Sequence, residues 1–183
     1  MSKKVQIAIA VPVVFIIWIL FLTSETETPA NENGVTRAVA VLHPTQGHRA
    51  NGLVSFIQTD DGVQVVAQLH GLAPGSHGFH IHQYGDCSAP DGTSAGGHFN
   101  PTGAPHAGPD ADERHVGDLG NIVADDAGNA YLDVVDRHLA LEGPNGIIGL
   151  AVVLHAGADD LTSQPSGAAG PRISCGVIGI ARE

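Results

Sequence analysis

The sequence predicts an all-β domain: eight short strands in a Greek-key sandwich or flattened barrel, with two long functional loops, preceded by one hydrophobic helix. Three observations lead there. Apolar and polar residues alternate with period two where the domain starts, at VTRAVAVLH, and further short strand-like apolar runs follow it. The composition is turn-rich, with 24 Gly and 11 Pro in 183 residues. Two segments, 84–120 and 156–173, lack any periodicity and are rich in Gly, Pro and Asp. Irregular loops of that length inside a domain are functional or disordered; these carry histidines, a cysteine and an arginine, and we read them as functional.

The elements follow in order. Residues 5–22 are apolar apart from Gln6, with Pro12 inside, and as a helix would span roughly 27 Å. Lys3 and Lys4 precede this segment and Glu25, Glu27 and Glu32 follow it, which puts the N-terminus in the cytoplasm and the bulk outside. A cleaved signal peptide is the rival, but TSETETPA offers no A-x-A pattern, so an uncleaved membrane anchor is favoured. The expected organisation is therefore 1–22 signal-anchor or signal peptide, 23–34 polar linker and 35–183 exported domain. That domain would be anchored on the periplasmic or extracellular side, or soluble there if the segment is removed.

Strands are then expected at 35–43, 52–58, 63–71, 78–83, 121–125, 129–135, 147–155 and 174–182. Thr59-Asp60-Asp61-Gly62 and Asp126-Ala127-Gly128 are turn sequences joining neighbours. The last two strands, IIGLAVVLH and SCGVIGIAR, are almost continuously apolar, as strands buried on both faces or closing a barrel would be.

Charge excludes one function class. Asp+Glu is 19 against Lys+Arg 8, a net charge of −11, and both lysines stand at positions 3 and 4. Nucleic-acid binding needs a basic footprint that this domain lacks. The two cysteines, Cys87 and Cys175, predict one disulfide in an exported chain; two buried thiols are the alternative.

The chain has eleven histidines, and the pair His80 and His82 could share one metal or simply stand on a wet face, the commoner case for an isolated H-x-H. His80 and His82 sit at i and i+2 of a strand, so both imidazoles project from one face. His98, His106 and His115 lie in the first loop with Asp118 three residues on, and His155 ends an apolar strand. His98, His106, His115 and Asp118 form an N/O set typical of structural zinc. His80, His82 and His155 are nitrogen donors from strands and suit copper.

GFHIHQYGD, SAGGHFNP, DERHVGDLG, VVLHAGADDL and CGVIGIA resemble, in order and spacing, the copper,zinc superoxide dismutases, over roughly residues 35–182. The resemblance implies copper on His80, His82, His98 and His155. It implies zinc on His98, His106, His115 and Asp118, with His98 bridging. Asp159 would accept hydrogen bonds from one ligand of each metal, and Arg172 would guide the superoxide anion, so that Arg172 and His98 serve catalysis. His43, His48, His70, His77 and His138 fall outside the ligand set.

Some features depart from the family's pattern. Cys87 comes directly after Gly85 and Asp86 and resembles the bacterial arrangement, so an exported bacterial-type member is expected. The segment LTSQPSGAAGP before Arg172 has no Lys or Glu, whereas many relatives steer their substrate with charges there. Tyr84, Gly85 and the run Gly176–Ile180 resemble the eukaryotic-type dimer face, although the same run fits a barrel-core strand. A metal-delivery module on the same fold is the competing function; degenerate relatives of that kind lose a copper ligand or the arginine, and this chain keeps all of them.

Overall fold

Where a strand alternates, as Gly62–His70 does, the alternation selects one face for the core. The structure, a computed structural model, describes residues 34–182. The expected anchor at 5–22 thus lies outside the described residues, and among the described residues no helix is long and apolar enough to cross a membrane. Eight strands are present: β1 Arg37–Pro44, β2 Asn51–Thr59, β3 Gly62–His70, β4 Gly75–His82, β5 Asp118–Ala124, β6 Ala130–Asp136, β7 Ala151–His155 and β8 Arg172–Ile180. They close into a barrel in the order β1-β2-β3-β6-β5-β4-β7-β8. All pairings among these eight strands are antiparallel.

Hairpins set the local register. β2 and β3 pair from Asn51↔His70 to Thr59↔Gly62, and the Asp125 carboxylate accepts the amides of Ala127 and Asn129 in the β5–β6 turn. The core fills the barrel interior with Phe56, Phe79, Ile81, Ile122, Leu154 and Ile178 among others. Burying a side chain of that size stabilises by about 1.5–3 kcal/mol relative to leaving it exposed.

Several strand boundaries differ from the sequence reading, and two of the differences, in β5 and β7, have a clear cause. β5 begins at Asp118, inside the expected loop, because the chain there rejoins β4 through the His80↔Asp118 pair beyond a bulge. β7 begins at Ala151 rather than 147, since Leu150 N–H bonds back to Ile147 O and turns the chain. β7 is buried throughout, but β8 is so only in its first half; Val177 and Ile180 face outward. The run Gly176–Ile180 is thus both barrel wall and exposed surface.

Candidate metal centre

On β4, Phe79 and Ile81 enter the barrel core while His80 and His82 project from the outer face of the wall. β7 lies beside β4 with Ala151 opposite His82 and Val153 opposite His80, so Ala151, Val153 and His155 share that outer face. An outward face would normally be wet. Here it is covered: Ala95 and Cys87 of the first loop pack on Ala151, Val153 and Cys175 in a small second core, fastened by the Cys87–Cys175 disulfide. His80, His82 and His155 are buried between wall and loop.

His98 reaches them by strand-like pairing. Gln83 N–H bonds to Gly97 O and Phe99 N–H to Ile81 O, while Ile81 N–H bonds to Gly117 O. Gly117 has to be glycine for this approach, since a Cβ would stand 2.2 Å from Ile81 O. Arg114 holds the neighbouring residues. Its buried guanidinium pairs with Asp136 at the end of β6 and donates to the His115 and Val116 carbonyls.

Two groups of donors result: His80, His82, His98 and His155, and His98, His106, His115 and Asp118, each with its ligand atoms within 4.8 Å of one another. The outer nitrogens are tied down. His80 Nε2 donates to Asp159 at 2.8 Å, His82 Nδ1 to Gly96 O at 2.9 Å, His155 Nδ1 to Gly170 O at 3.0 Å and His106 Nε2 to Asp159 at 3.0 Å. Each bond fixes a tautomer and leaves the other nitrogen's lone pair facing the cluster. His82 and His155 bring their Nε2 atoms to 3.4 Å. His98 faces both groups: its Nδ1 lies 2.7 Å from Asp118, and its ring centroid is 4.0 Å from that of His80 and 5.1 Å from that of His82.

The donor sets fit metal ions. His80 Nδ1, His98 Nε2 and His106 Nδ1 are buried without a hydrogen-bond partner, at about 1–3 kcal/mol each if nothing else engages them. His106 Nδ1 stands 3.0 Å from an Asp118 oxygen yet makes no hydrogen bond to it, as two ligands of one ion would. Burial lowers the pKa of His80 to about 4 and of His155 to about 3, and holds His82 well below its ordinary value. These rings are neutral, as metal binding requires. Burial also works against the Asp118 carboxylate, but hydrogen bonds from His98 and the Ala107 amide outweigh it and keep the group ionised.

Arg172 opens β8 at the rim of a cleft of about 500 Å³ lined by His82, His98, Thr93, Pro165 and Ser166 among others. Its Nη1 donates to Gly92 O at 2.6 Å and its Nη2 to Gly96 O at 2.5 Å. Gly96 O also accepts from His82, so one carbonyl orients the arginine and the histidine together. His77 stays outside both groups, with its ring nitrogens on the His155 and Ala73 carbonyls.

A sequence model described as copper/zinc superoxide dismutase matches residues 50–178. The chain belongs to the copper/zinc superoxide dismutase family. It is 46% identical over 153 residues, 78% of this chain and 75% of the relative, to an extracellular superoxide dismutase [Cu-Zn] of Brugia pahangi. To a superoxide dismutase [Cu-Zn] of Paramecium bursaria Chlorella virus 1 it is 42% identical, covering 93% of this chain and 94% of that one. Among solved structures, the clock protein EA4 superposes with a TM-score of 0.74 at 46% identity, over 80% of this chain and 95% of that chain. As a family member the protein dismutes superoxide to molecular oxygen and hydrogen peroxide, with copper and zinc as cofactors.

Every residue expected at the site is brought to it. The motifs do not point to Asn121, whose side-chain amide bonds both the N–H and the C=O of Asp159. An asparagine opening the predicted strand NIVAD gives no local signal of that contact.

Proposed function

We propose that His80, His82, His98 and His155 hold copper and that His98, His106, His115 and Asp118 hold zinc in this superoxide dismutase, with His98 as the shared ligand. The observation that carries the assignment is the His98 ring, with Nδ1 against Asp118 and a buried, unpartnered Nε2 on its other side. Copper supplies the one-electron redox chemistry that zinc lacks.

The overall reaction takes two superoxide anions and two protons to one O₂ and one H₂O₂. Arg172 attracts the anion and hydrogen-bonds it at the mouth, its guanidinium plane set by Gly92 and Gly96. The His98 Nε2 takes a proton in one half-reaction and delivers it to the product in the other. Asp159 holds His80 and His106 in register between the two sites. The test is direct superoxide decay by the full chain loaded with copper and zinc, against a copper-free, zinc-loaded control. Fast copper-dependent decay is expected. Tight copper binding with decay no faster than buffer would make the protein a metal carrier.

Steering here is weak. Arg172 is the one permanently charged side chain among the residues lining the mouth, on a body of net charge −11. Raising ionic strength from low to physiological is expected to lower the rate less than about threefold, against the steep decline of strongly steered associations. A steep decline overturns this.

We also propose an exported member of the family. The formed disulfide and the extracellular relative support export, and Cys87 with the apolar run 5–22 supports the bacterial-type, anchored form. The organisation is then anchor 1–22, linker 23–34 and dismutase domain 35–183. Retention of the protein in washed membranes with its N-terminus intact tests the anchor; a free, shortened chain refutes it.

A homodimer is proposed through the outer faces of β1 and β8. Val41 pairs with Leu53 across the sheet, and Val41, Val177, Ile180 and Tyr84 are 52%, 44%, 66% and 57% exposed. Sedimentation is expected to show a dimer that Val177→Lys converts to monomer; a parent that sediments as monomer removes the proposal.

A further inference from the structure

Gln164 lies in the loop between β7 and β8, exposed at the surface and part of none of the motifs. Its carboxamide is nonetheless bonded to the other loop. Nε2 donates to His106 O at 2.8 Å, and Oε1 accepts from His106 N–H at 2.8 Å. One side-chain amide therefore takes both backbone groups of one residue, as a neighbouring strand would. Nε2 also lies 3.2 Å from Thr162 O within its own loop.

The segment that presents Gln164 is closed on itself. Asp160 accepts the amides of Thr162 and Ser163, Gly167 N–H bonds to Ser163 O, and Asp160 N–H bonds to Gly167 O. Gly167 closes this turn against Asp159 so tightly that a Cβ there would fall 1.7 Å from the Asp159 carboxylate. Gln164 thus projects from a preformed turn, which reduces the side-chain freedom lost in fixing a long, rotamer-rich residue.

A second amide works in the opposite direction. Asn121 on β5 grips the backbone of Asp159, and Asp159 accepts from the His106 ring. The barrel wall therefore fixes the second loop, and the second loop fixes His106 twice, by its ring through Asp159 and by its backbone through Gln164. With both ends held, the His106 Nδ1 has one direction to face, toward Asp118.

We propose that Gln164 is a positioning residue for the metal centre, clamping the backbone of His106 so that its imidazole is preset for zinc and the two loops order as one. This rests on the reading of His106 as a zinc ligand. The clamp is uncharged and works by hydrogen-bond complementarity on the backbone, beside the Asp159 carboxylate that holds the ring.

The experiment compares the full chain with Gln164→Ala, Gln164→Glu and His106→Ala. Zinc transfer to a chromophoric chelator and the visible spectrum of cobalt(II) placed in the zinc site are the readouts, with the thermal midpoint of the metal-free form alongside. Glutamate keeps the size and one acceptor of glutamine but sets a second acceptor against His106 O. Both Gln164 variants are therefore expected to release zinc about 10–100-fold faster, in line with the loss of a residue that orients a ligand. Their cobalt spectra shift, while the metal-free midpoint stays at the parent value. Parent-like release in both variants overturns the proposal, as does parent-like behaviour of Gln164→Glu alone, which would make bulk rather than hydrogen bonding the cause. His106→Ala separates the two readings: loss of zinc there upholds the ligand assignment whatever Gln164 does, and retained zinc overturns assignment and clamp together.

Discussion

His98→Ala is expected to abolish copper-dependent superoxide decay and to weaken both metals at once, while the barrel stays folded. The reasoning is geometric. His98 contributes Nδ1 to one donor group and Nε2 to the other, so one substitution leaves three donors in each. Loss of a residue that merely orients a ligand costs about 10–100-fold in metal affinity, and loss of a shared ligand should exceed the upper end of that range for each ion. Fold retention follows from position: His98 lies in the covering loop, and the barrel core is built from other residues. Metal content after dialysis, superoxide decay and circular dichroism check this together. A His98→Ala protein that keeps both metals at parent affinity would remove the shared-ligand assignment. His80→Ala is the contrasting variant, with copper lost and zinc kept.

The second large effect is expected from the double variant Cys87→Ser, Cys175→Ser. The bridge spans 88 residues, and the chain-entropy model assigns a loop of that size about 4–5 kcal/mol. For a domain of this size that corresponds to a fall in Tm of roughly 10–20 °C. Function should fall as well, because the bridge secures the small core of Ala95, Ala151, Val153 and Cys175. That core holds the loop whose Gly92 and Gly96 carbonyls aim Arg172. The expected signature is a lower rate at full copper occupancy, with Tm reduced in both metal-free and metal-loaded forms. Parent-like Tm in the double variant would show that the loop is held without the bridge.

Much of the fold was legible along the chain because strands advertise themselves locally. VQVVAQLH alternates, and Val63, Val65, Ala67 and Leu69 are all buried. The boundary errors arose where long-range pairing overrode the pattern. IIGLAVVLH reads as one apolar strand, yet only Ala151–His155 is opposite β4 and β8, and the residues before it turn. Asp118 reads as a loop residue because nothing near it in sequence reveals that it pairs with His80 across the sheet.

The site divides in the same way. The sequence by itself determined the fold class and the candidate donor residues, because residue type and strand-like spacing are local properties and the family's motifs carry them intact. Only the tertiary structure decided which nitrogen of each imidazole faces inward, since that depends on Gly96, Gly170 and Asp159, which are 14, 15 and 79 residues away from the rings they fix. It alone decided that the outward face of β4 is dry, because the loop covering it closes through a cysteine 88 residues distant. The clamps by Asn121 and Gln164 belong with these: a side-chain amide bonded to a remote backbone leaves no trace in its own neighbourhood of sequence, and its role exists only once the chain has closed.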